Sequence, residues 1–380
     1  MKSCIYIPKS SFLDDDKVFP HLGPYYIKRF VEDNSKYKVD IIDNSNDLYS
    51  YDVIGVSATT PQYLSMDKSL LPKNRITVMG GPHCFHHNIN GFTHVVTSDG
   101  CSDFLDILNG ISPRGIPDNK NQLPHRDKSF HKYKYYLDNK TVTTMITSRG
   151  CPNKCFFCEA AGNKVRFKDS VYVQKEIAEC VDLGFEAIMF FDDLFCISYK
   201  RVKELCDIIK PFNIKFRCFA QAKIFNEPIA EALANAGCVE IGYGAESLDQ
   251  NILDIVNKKT TVSDNYRIIE IAHKYNIRVK SFLMIGLPGE NKESILNMEQ
   301  FLESSNVDDF DISIYYPYEG TYIYDNIQLF DLKIHNDIET IGFYKGQNGS
   351  AECKVSTSAL NPEELLAYKN NLFNKYKNRK

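Results

Sequence analysis

The sequence has little that would tie it to a membrane or to a polyanion. No apolar run approaches the roughly 20 residues that span a bilayer, and the opening SCIYI has a strand-like pattern rather than that of a signal peptide. A cytoplasmic location without membrane partners is therefore expected. Its 45 Lys and Arg stand against 49 Asp and Glu, and the resulting formal charge of −4 offers no general attraction for nucleic acid. The basic end KYKNRK reads as a solvated helix terminus. A disulfide framework is missing as well. Among the 12 cysteines, those outside one cluster are scattered singly through apolar segments, which favours a reducing compartment. Cys180, Cys206 and Cys238 fall in helix-like patterns and Cys218 in a strand-like one, where a free thiol behaves as a small hydrophobe.

What is present is the composition of an ordinary globular chain, 43% hydrophobic and 25% charged over 380 residues, with room for two domains. Residues 1–110 alternate short apolar runs with amphipathic stretches (SCIYI, GPYYIKRFVED, KVDIID, YDVIGVSA, RITVMGG, THVVTS), a βαβ rhythm that predicts a doubly wound parallel sheet. Residues 111–140 carry prolines and charges without a sustained period and are expected to form a linker. A second alternation follows over 141–328, with strands predicted near 142–148, 187–192, 214–220, 239–244, 278–285 and 310–316. Six βα units make a partial barrel of the TIM type, whose chemistry belongs at the carboxyl ends of its strands. Residues 329–380 end in NPEELLAYKNNLFNKYK, a helix with an Asn cap and Pro at its first position.

The loop after the first barrel strand reads CPNKCFFC, with Cys151, Cys155 and Cys158 within eight residues. A structural zinc site wants four ligands in a closed tetrahedron, so three thiolates leave one position unfilled. Three thiolates suit three irons of a four-iron, four-sulfur cluster with the fourth iron open. The spacing also admits a zinc knuckle that recruits a distant His or Cys, or an unliganded trio of thiols.

The stretch ITSRGCPNKCFFC resembles the radical S-adenosylmethionine enzymes, whose cysteine pattern is C-x3-C-x-aromatic-C, with Phe157 as the aromatic. The resemblance implies a 4Fe-4S cluster that binds S-adenosylmethionine at its open iron and cleaves it to a 5′-deoxyadenosyl radical, which abstracts hydrogen from substrate. Further segments resemble the family in order. IMFFDDLF places Asp192 and Asp193 at the end of the second strand, and because successive residues alternate faces only one points inward; Asp193 is expected to meet the cosubstrate ammonium. KFRCFAQAK puts Gln221 where relatives commonly carry an arginine. GCVEIGYGAES places Glu246 near the ribose or ammonium, and its Gly242-x-Gly244 lacks the rest of a dinucleotide fingerprint. SFLMIGLPGE looks like the fifth strand and its turn, and DISIYYPYEGT brings Tyr316 and Pro317 toward the adenine.

HLGPYYIKRFVED, DVIGVSATTP and VMGGPHCFHHNINGFTHVVTSDG resemble the cobalamin-binding-domain branch of that superfamily, a flavodoxin-like domain. The DxHxxG element that supplies an axial histidine is absent. His21 lacks its aspartate, and His83, His86 and His87 read as loop histidines rather than ligands of cobalt or another metal. Cobalamin is therefore possible, with an empty scaffold the favoured expectation. The implied partners are a small-molecule, peptide or nucleobase substrate and an electron donor such as a flavodoxin or ferredoxin. Methylation, rearrangement or another C–H functionalisation stays open. Cys353, alone in GSAECKVS, is a candidate thiol for the radical site, while no second cysteine constellation is visible. The alternatives are a non-catalytic module stabilised by zinc and a radical enzyme that modifies nucleic acid or nucleobases.

Overall fold

The computed structural model describes residues 1–10, 18–85, 89–116, 119–133, 136–336 and 351–377. Contacts divide the chain into two compact units, Met1–Tyr135 and Tyr136–Lys380.

The first unit holds β1 (Ser3–Tyr6), α1 (Leu22–Asn34), β2 (Val39–Ile42), β3 (Val53–Ser57), α2 (Thr60–Ser65), β4 (Ile76–Gly80), β5 (His94–Val95) and α3 (Cys101–Leu108). Its five strands are all parallel in the order β2-β1-β3-β4-β5, the flavodoxin-like doubly wound arrangement. Strands covered on both faces read as near-continuous apolar runs. Accordingly, Tyr6, Ile54 and Met79 enter one core cluster while their neighbours Ile5, Val53 and Val78 enter another.

At the carboxyl ends of this sheet the loops are tied together. Gln62 Nε2 donates to the Pro8 carbonyl at 2.9 Å, and the Thr59 N–H donates to Gln62 Oε1 at 2.9 Å. Gly81, at φ +91°, lies so close to Ala58 that a Cβ would stand 2.8 Å from its nitrogen and 2.9 Å from its oxygen. His83, far from being a solvated loop residue, is buried, with Nδ1 3.1 Å from Thr60 Oγ1 and its ring stacked on Tyr63 at 4.0 Å. His86 and His87 lie outside the described residues.

The segment expected to be a linker packs on the first unit over much of its length. The His125 N–H donates to the Tyr25 carbonyl at 2.9 Å, Arg29 Nη1 donates to the Pro124 carbonyl at 3.2 Å, and the Phe130 ring meets Tyr25 at 4.5 Å. Buried Phe130 and Tyr133 are the anchors that a reading by periodicity passes over.

The second unit opens with β6 (Tyr136–Leu137) and β7 (Lys140–Met145), an antiparallel hairpin turned by Asp138 and Asn139 at φ 54° and 60°. The short pair β8 (Ser148–Arg149) and β9 (Arg166–Phe167) is also antiparallel. Then come α4 (Ser170–Asp182), β10 (Ala187–Phe190), α5 (Tyr199–Ile209), β11 (Lys215–Ala220), α6 (Glu227–Ala236), β12 (Cys238–Glu246), α7 (Gln250–Ile255), α8 (Val262–Lys274), β13 (Arg278–Ile285), α9 (Lys292–Ser304) and β14 (Asp309–Ile314). The six parallel strands β7, β10, β11, β12, β13 and β14 neighbour one another in chain order, the partial barrel read from the sequence. After β14 come α10 (Tyr322–Asp325), the paired β15 (Lys333–Ile334) and β16 (Val355–Ser356), and α11 (Pro362–Lys377). Asn361 caps α11 as expected: the Glu364 N–H donates to Asn361 Oδ1 at 2.9 Å, and the Asn361 N–H donates to Glu364 Oε2 at 3.0 Å.

Alternation along the strands separates two faces. Phe190, Phe216 and Cys218 are buried on one face, the two rings edge to face, and Cys180 of α4 and Cys206 of α5 are buried as well; Cys238, expected in a helix, is instead the first residue of β12 and also buried. Toward the amino ends, side chains of the other alternation are charged and paired: Arg217 with Glu240 at 2.9 Å, Arg278 with Asp138 at 2.5 Å, and Lys280 with Asp309 and Asp311 at 2.8 and 3.1 Å. Lys377 of α11 joins Asp309 at 2.5 Å.

Gly81→Ala tests the packing of the loops in the first unit. It is expected to cost about 1–3 kcal/mol and to lower the thermal unfolding midpoint followed by circular dichroism. An unchanged midpoint would mean that the loop relaxes freely.

Candidate active site

Chain 147–167 leaves β7, runs through β8, carries the cysteine loop and returns through β9. The loop is fixed from several sides. Gly150, at φ +93°, has its N–H on Asp193 Oδ2 at 2.7 Å, and a Cβ there would stand 2.6 Å from the Lys164 carbonyl. The Phe156 N–H donates to the Val256 carbonyl at 2.9 Å, Asn257 Nδ2 donates to the Lys154 carbonyl at 2.6 Å, and the Phe156 ring stacks on Tyr322 at 4.2 Å. The Gly162 N–H closes the loop onto the Asn153 carbonyl at 2.7 Å.

Cys151, Cys155 and Cys158 line one cavity of about 330 Å3 with Phe157, Asp193, Gln221, Glu246 and Lys258. Its floor is β12, where Gly242 sits between Phe219 and Phe282 and Gly244 lies beneath Glu246 and Lys258. Gly244 leaves room for an ion pair lying across the strand: a Cβ there would overlap Glu246 Oε1 and stand 3.0 Å from Lys258 Nζ. Glu246 itself adopts φ 59° at the end of β12 and meets Lys258 at 2.8 Å.

Charge concentrates around Lys258. Burial works to lower its pKa, but Glu246, Cys155 and Cys158 outweigh it and hold the ammonium above its ordinary value. Burial raises the Cys155 thiol, with Lys258 opposing, and pushes Cys158 to about 11. Lys258 is the one cation lining the cavity among the described residues. It was not read from the sequence: in NKKTT it looks like one of two solvated lysines in a turn. Its twelve-residue distance from Glu246, across one short helix, is the only trace of the pairing.

Most of the residues anticipated from the sequence converge here. The two acidic neighbours divide as alternation requires: Asp193 lines the cavity, while Asp192 is buried beneath the loop. Gln221 lines the cavity as a neutral amide, with Asn153 Nδ2 3.3 Å from its Oε1. Two candidates do not join them. Tyr316 is absent from the lining and meets Tyr318 edge to face at 4.9 Å. Cys353 is buried rather than exposed, its Sγ is 3.3 Å from the Val355 carbonyl, and burial pushes it to about 11, so its surroundings suppress the reactive thiolate.

The donor set suits a polynuclear cluster. Among the described residues no histidine and no fourth cysteine lines the cavity, and no three His, Cys, Asp or Glu side chains are placed to hold a single ion. A cube binds each thiolate at a different iron and so needs no convergence on one point. Among the described residues, no helix is long and apolar enough to cross a membrane.

Residues 145–302 match the family model of the Radical SAM superfamily. Over 359 aligned residues the chain is 25% identical to a Pyrococcus horikoshii protein called uncharacterized methyltransferase PH0819, covering 80% of this chain and 78% of that one. It is 25% identical over 225 residues to the anaerobic magnesium-protoporphyrin IX monomethyl ester cyclase of Rubrivivax gelatinosus, which covers 56% of this chain but 40% of the cyclase. Among solved structures, the radical S-adenosylmethionine methyltransferase TsrM from Kitasatospora setae, with cobalamin and a 4Fe-4S cluster bound, superposes with a TM-score of 0.68 at 14% identity, covering 90% of this chain and 82% of TsrM.

Gly150→Ala is expected to force the backbone before Cys151 away from the Lys164 carbonyl. The variant should retain less iron and sulfide than the parent after anaerobic reconstitution and desalting. Equal retention would show that the loop does not depend on this turn.

Proposed function

Because the chain carries a radical SAM domain over residues 145–302, we propose that Cys151, Cys155 and Cys158 hold its 4Fe-4S cluster and that the adjoining cavity binds S-adenosylmethionine. The observation that carries this reading is the meeting of three thiols and a part-buried Glu246–Lys258 pair in one cavity near the carboxyl ends of parallel strands. When bound, the cluster supplies one electron to the sulfonium, releasing methionine and the 5′-deoxyadenosyl radical that takes hydrogen from substrate.

The chain's own residues orient the cosubstrate. Lys258 takes its carboxylate, the role left open by a neutral Gln221, since a charge-assisted bond in a partly buried site is worth more than a neutral one. Asp193 and Glu246 take the ammonium and ribose. Phe219 and Phe282 exclude water from the floor, and Phe157 covers Lys258, whose Nζ lies 5.7 Å from the ring. Gly244 keeps the acidic and basic groups aligned.

The reaction is C–H functionalisation of a small molecule, with methyl transfer the version supported by the Pyrococcus relative and by TsrM. A reduced flavodoxin or ferredoxin supplies the electron. In the first unit His83 does not suit cobalt, because its ring is buried against Thr60 and Tyr63.

Reconstituted protein incubated anaerobically with dithionite and S-adenosylmethionine should form 5′-deoxyadenosine, detected by mass spectrometry. Alanine at Cys151, Cys155 or Cys158 should abolish it; product at the parent's rate, or none from a parent with an intact cluster, rejects the reading. Lys258→Met should raise KM for S-adenosylmethionine about 10-fold or more with a smaller change in kcat, and Gly244→Ala should act in the same direction while the protein stays folded. After incubation with hydroxocobalamin and gel filtration, parent and His83→Ala should retain equal amounts of corrin. A loss confined to the variant would restore that histidine as a ligand.

A further inference from the structure

Thr147 has no exposed surface, and each of its polar groups is engaged. Its N–H donates to Asp192 Oδ1 at 2.6 Å, and its hydroxyl donates to Asp192 Oδ2 at 2.5 Å. Its carbonyl accepts from the Lys168 N–H at 2.8 Å and from Arg201 Nη2 at 3.4 Å. Ser148 Oγ adds a third donor to the Asp192 carboxylate at 2.8 Å. The hairpin β8–β9 beyond this point pairs only two residues on each side, too few to hold its own geometry. Three residues after Ser148 comes Cys151.

We infer that Asp192 is a positioning residue for the iron–sulfur cluster: its carboxylate fixes Thr147 and Ser148, and through them the hairpin from which the three cysteines hang. This rests on the assignment of those cysteines to the cluster. Asp192 does not line the cavity, so it acts through the loop rather than on the cosubstrate. Only the ionised carboxylate accepts from all three donors without offering a proton of its own.

The surroundings set when that ionisation occurs. Burial raises the Asp192 pKa to about 6, against the bonds from Thr147 and Ser148 and the charge of Arg201. Arg201, from α5, also binds Glu204 at 3.0 Å and the Lys168 carbonyl at 3.2 Å. Lys168 is itself ion-paired with buried Glu176 of α4, and Asp193 is the next residue in the chain. Because the folded pKa is raised, the folded state favours the protonated form between the ordinary carboxylate range and about 6, and the loop loses an acceptor as pH falls through that value.

The test is the midpoint potential of the reconstituted cluster, measured by electron paramagnetic resonance from pH 5 to 8 with and without S-adenosylmethionine. The parent should show a bend near pH 6, with the potential rising toward acid as the nearby negative charge is neutralised. Asp192→Asn should remove the bend and weaken the spectral change that S-adenosylmethionine causes. Thr147→Val, which deletes one donor to the carboxylate, should move the bend to higher pH, and Thr147→Ser should restore it. A purely structural Asp192 would alter thermal stability alone. Should Asp192→Asn fail to fold, Thr147→Val decides, its upward shift supporting the inference. A bend absent from the parent, unmoved in Thr147→Val or kept in Asp192→Asn overturns the inference while leaving the cluster assignment standing. A parent that assembles no cluster overturns both.

Discussion

Parallel strands that follow one another in a sheet must all end on the same edge, and this constraint organises the second unit. Residues far apart in sequence, from Cys151 to Phe282, share one cavity because β10, β11, β12 and β13 deliver their terminal side chains to a common rim. The cysteine loop is then tied down by groups arriving from other strand ends. Asp193 follows β10, and Val256 and Asn257 follow the helix after β12. The loop borrows its rigidity from the sheet edge and has little of its own.

Much of this was legible in the sequence because strands and cysteine spacing leave local signatures. The six barrel strands appear as apolar runs, and period-two alternation separates the positions of Asp192 and Asp193. Long-range pairing leaves no such mark. Lys258 sits in a polar turn and becomes a cavity residue only when Glu246 is folded against it at 2.8 Å. Cys353 has polar neighbours in sequence, yet it is buried in the fold, and the segment before Tyr135 has no periodicity but is held by Phe130 and Tyr133. In each case the missing information is which distant surface covers the residue.

Glycine marks where side chains had to be withheld. Gly150 turns the chain into the cysteine loop and Gly244 clears the path between two charged groups, one by conformation and the other by absence of bulk. Gly242-x-Gly244 reads as a fragment of a nucleotide-binding motif, whereas in the fold Gly242 makes room between Phe219 and Phe282 and Gly244 makes room for Glu246 and Lys258. The same residue type thus serves a purpose set by the strand it occupies.

At the opposite ends of the strands, Lys280 and Lys377 share Asp309 and Asp311. Those groups are partly open to water, so dissolved ions reach and screen them, whereas the carboxylate of Asp192 is sealed from solvent. Concentrated salt would therefore weaken the Lys280 and Lys377 pairs more than the bonds that Asp192 makes beneath the cysteine loop.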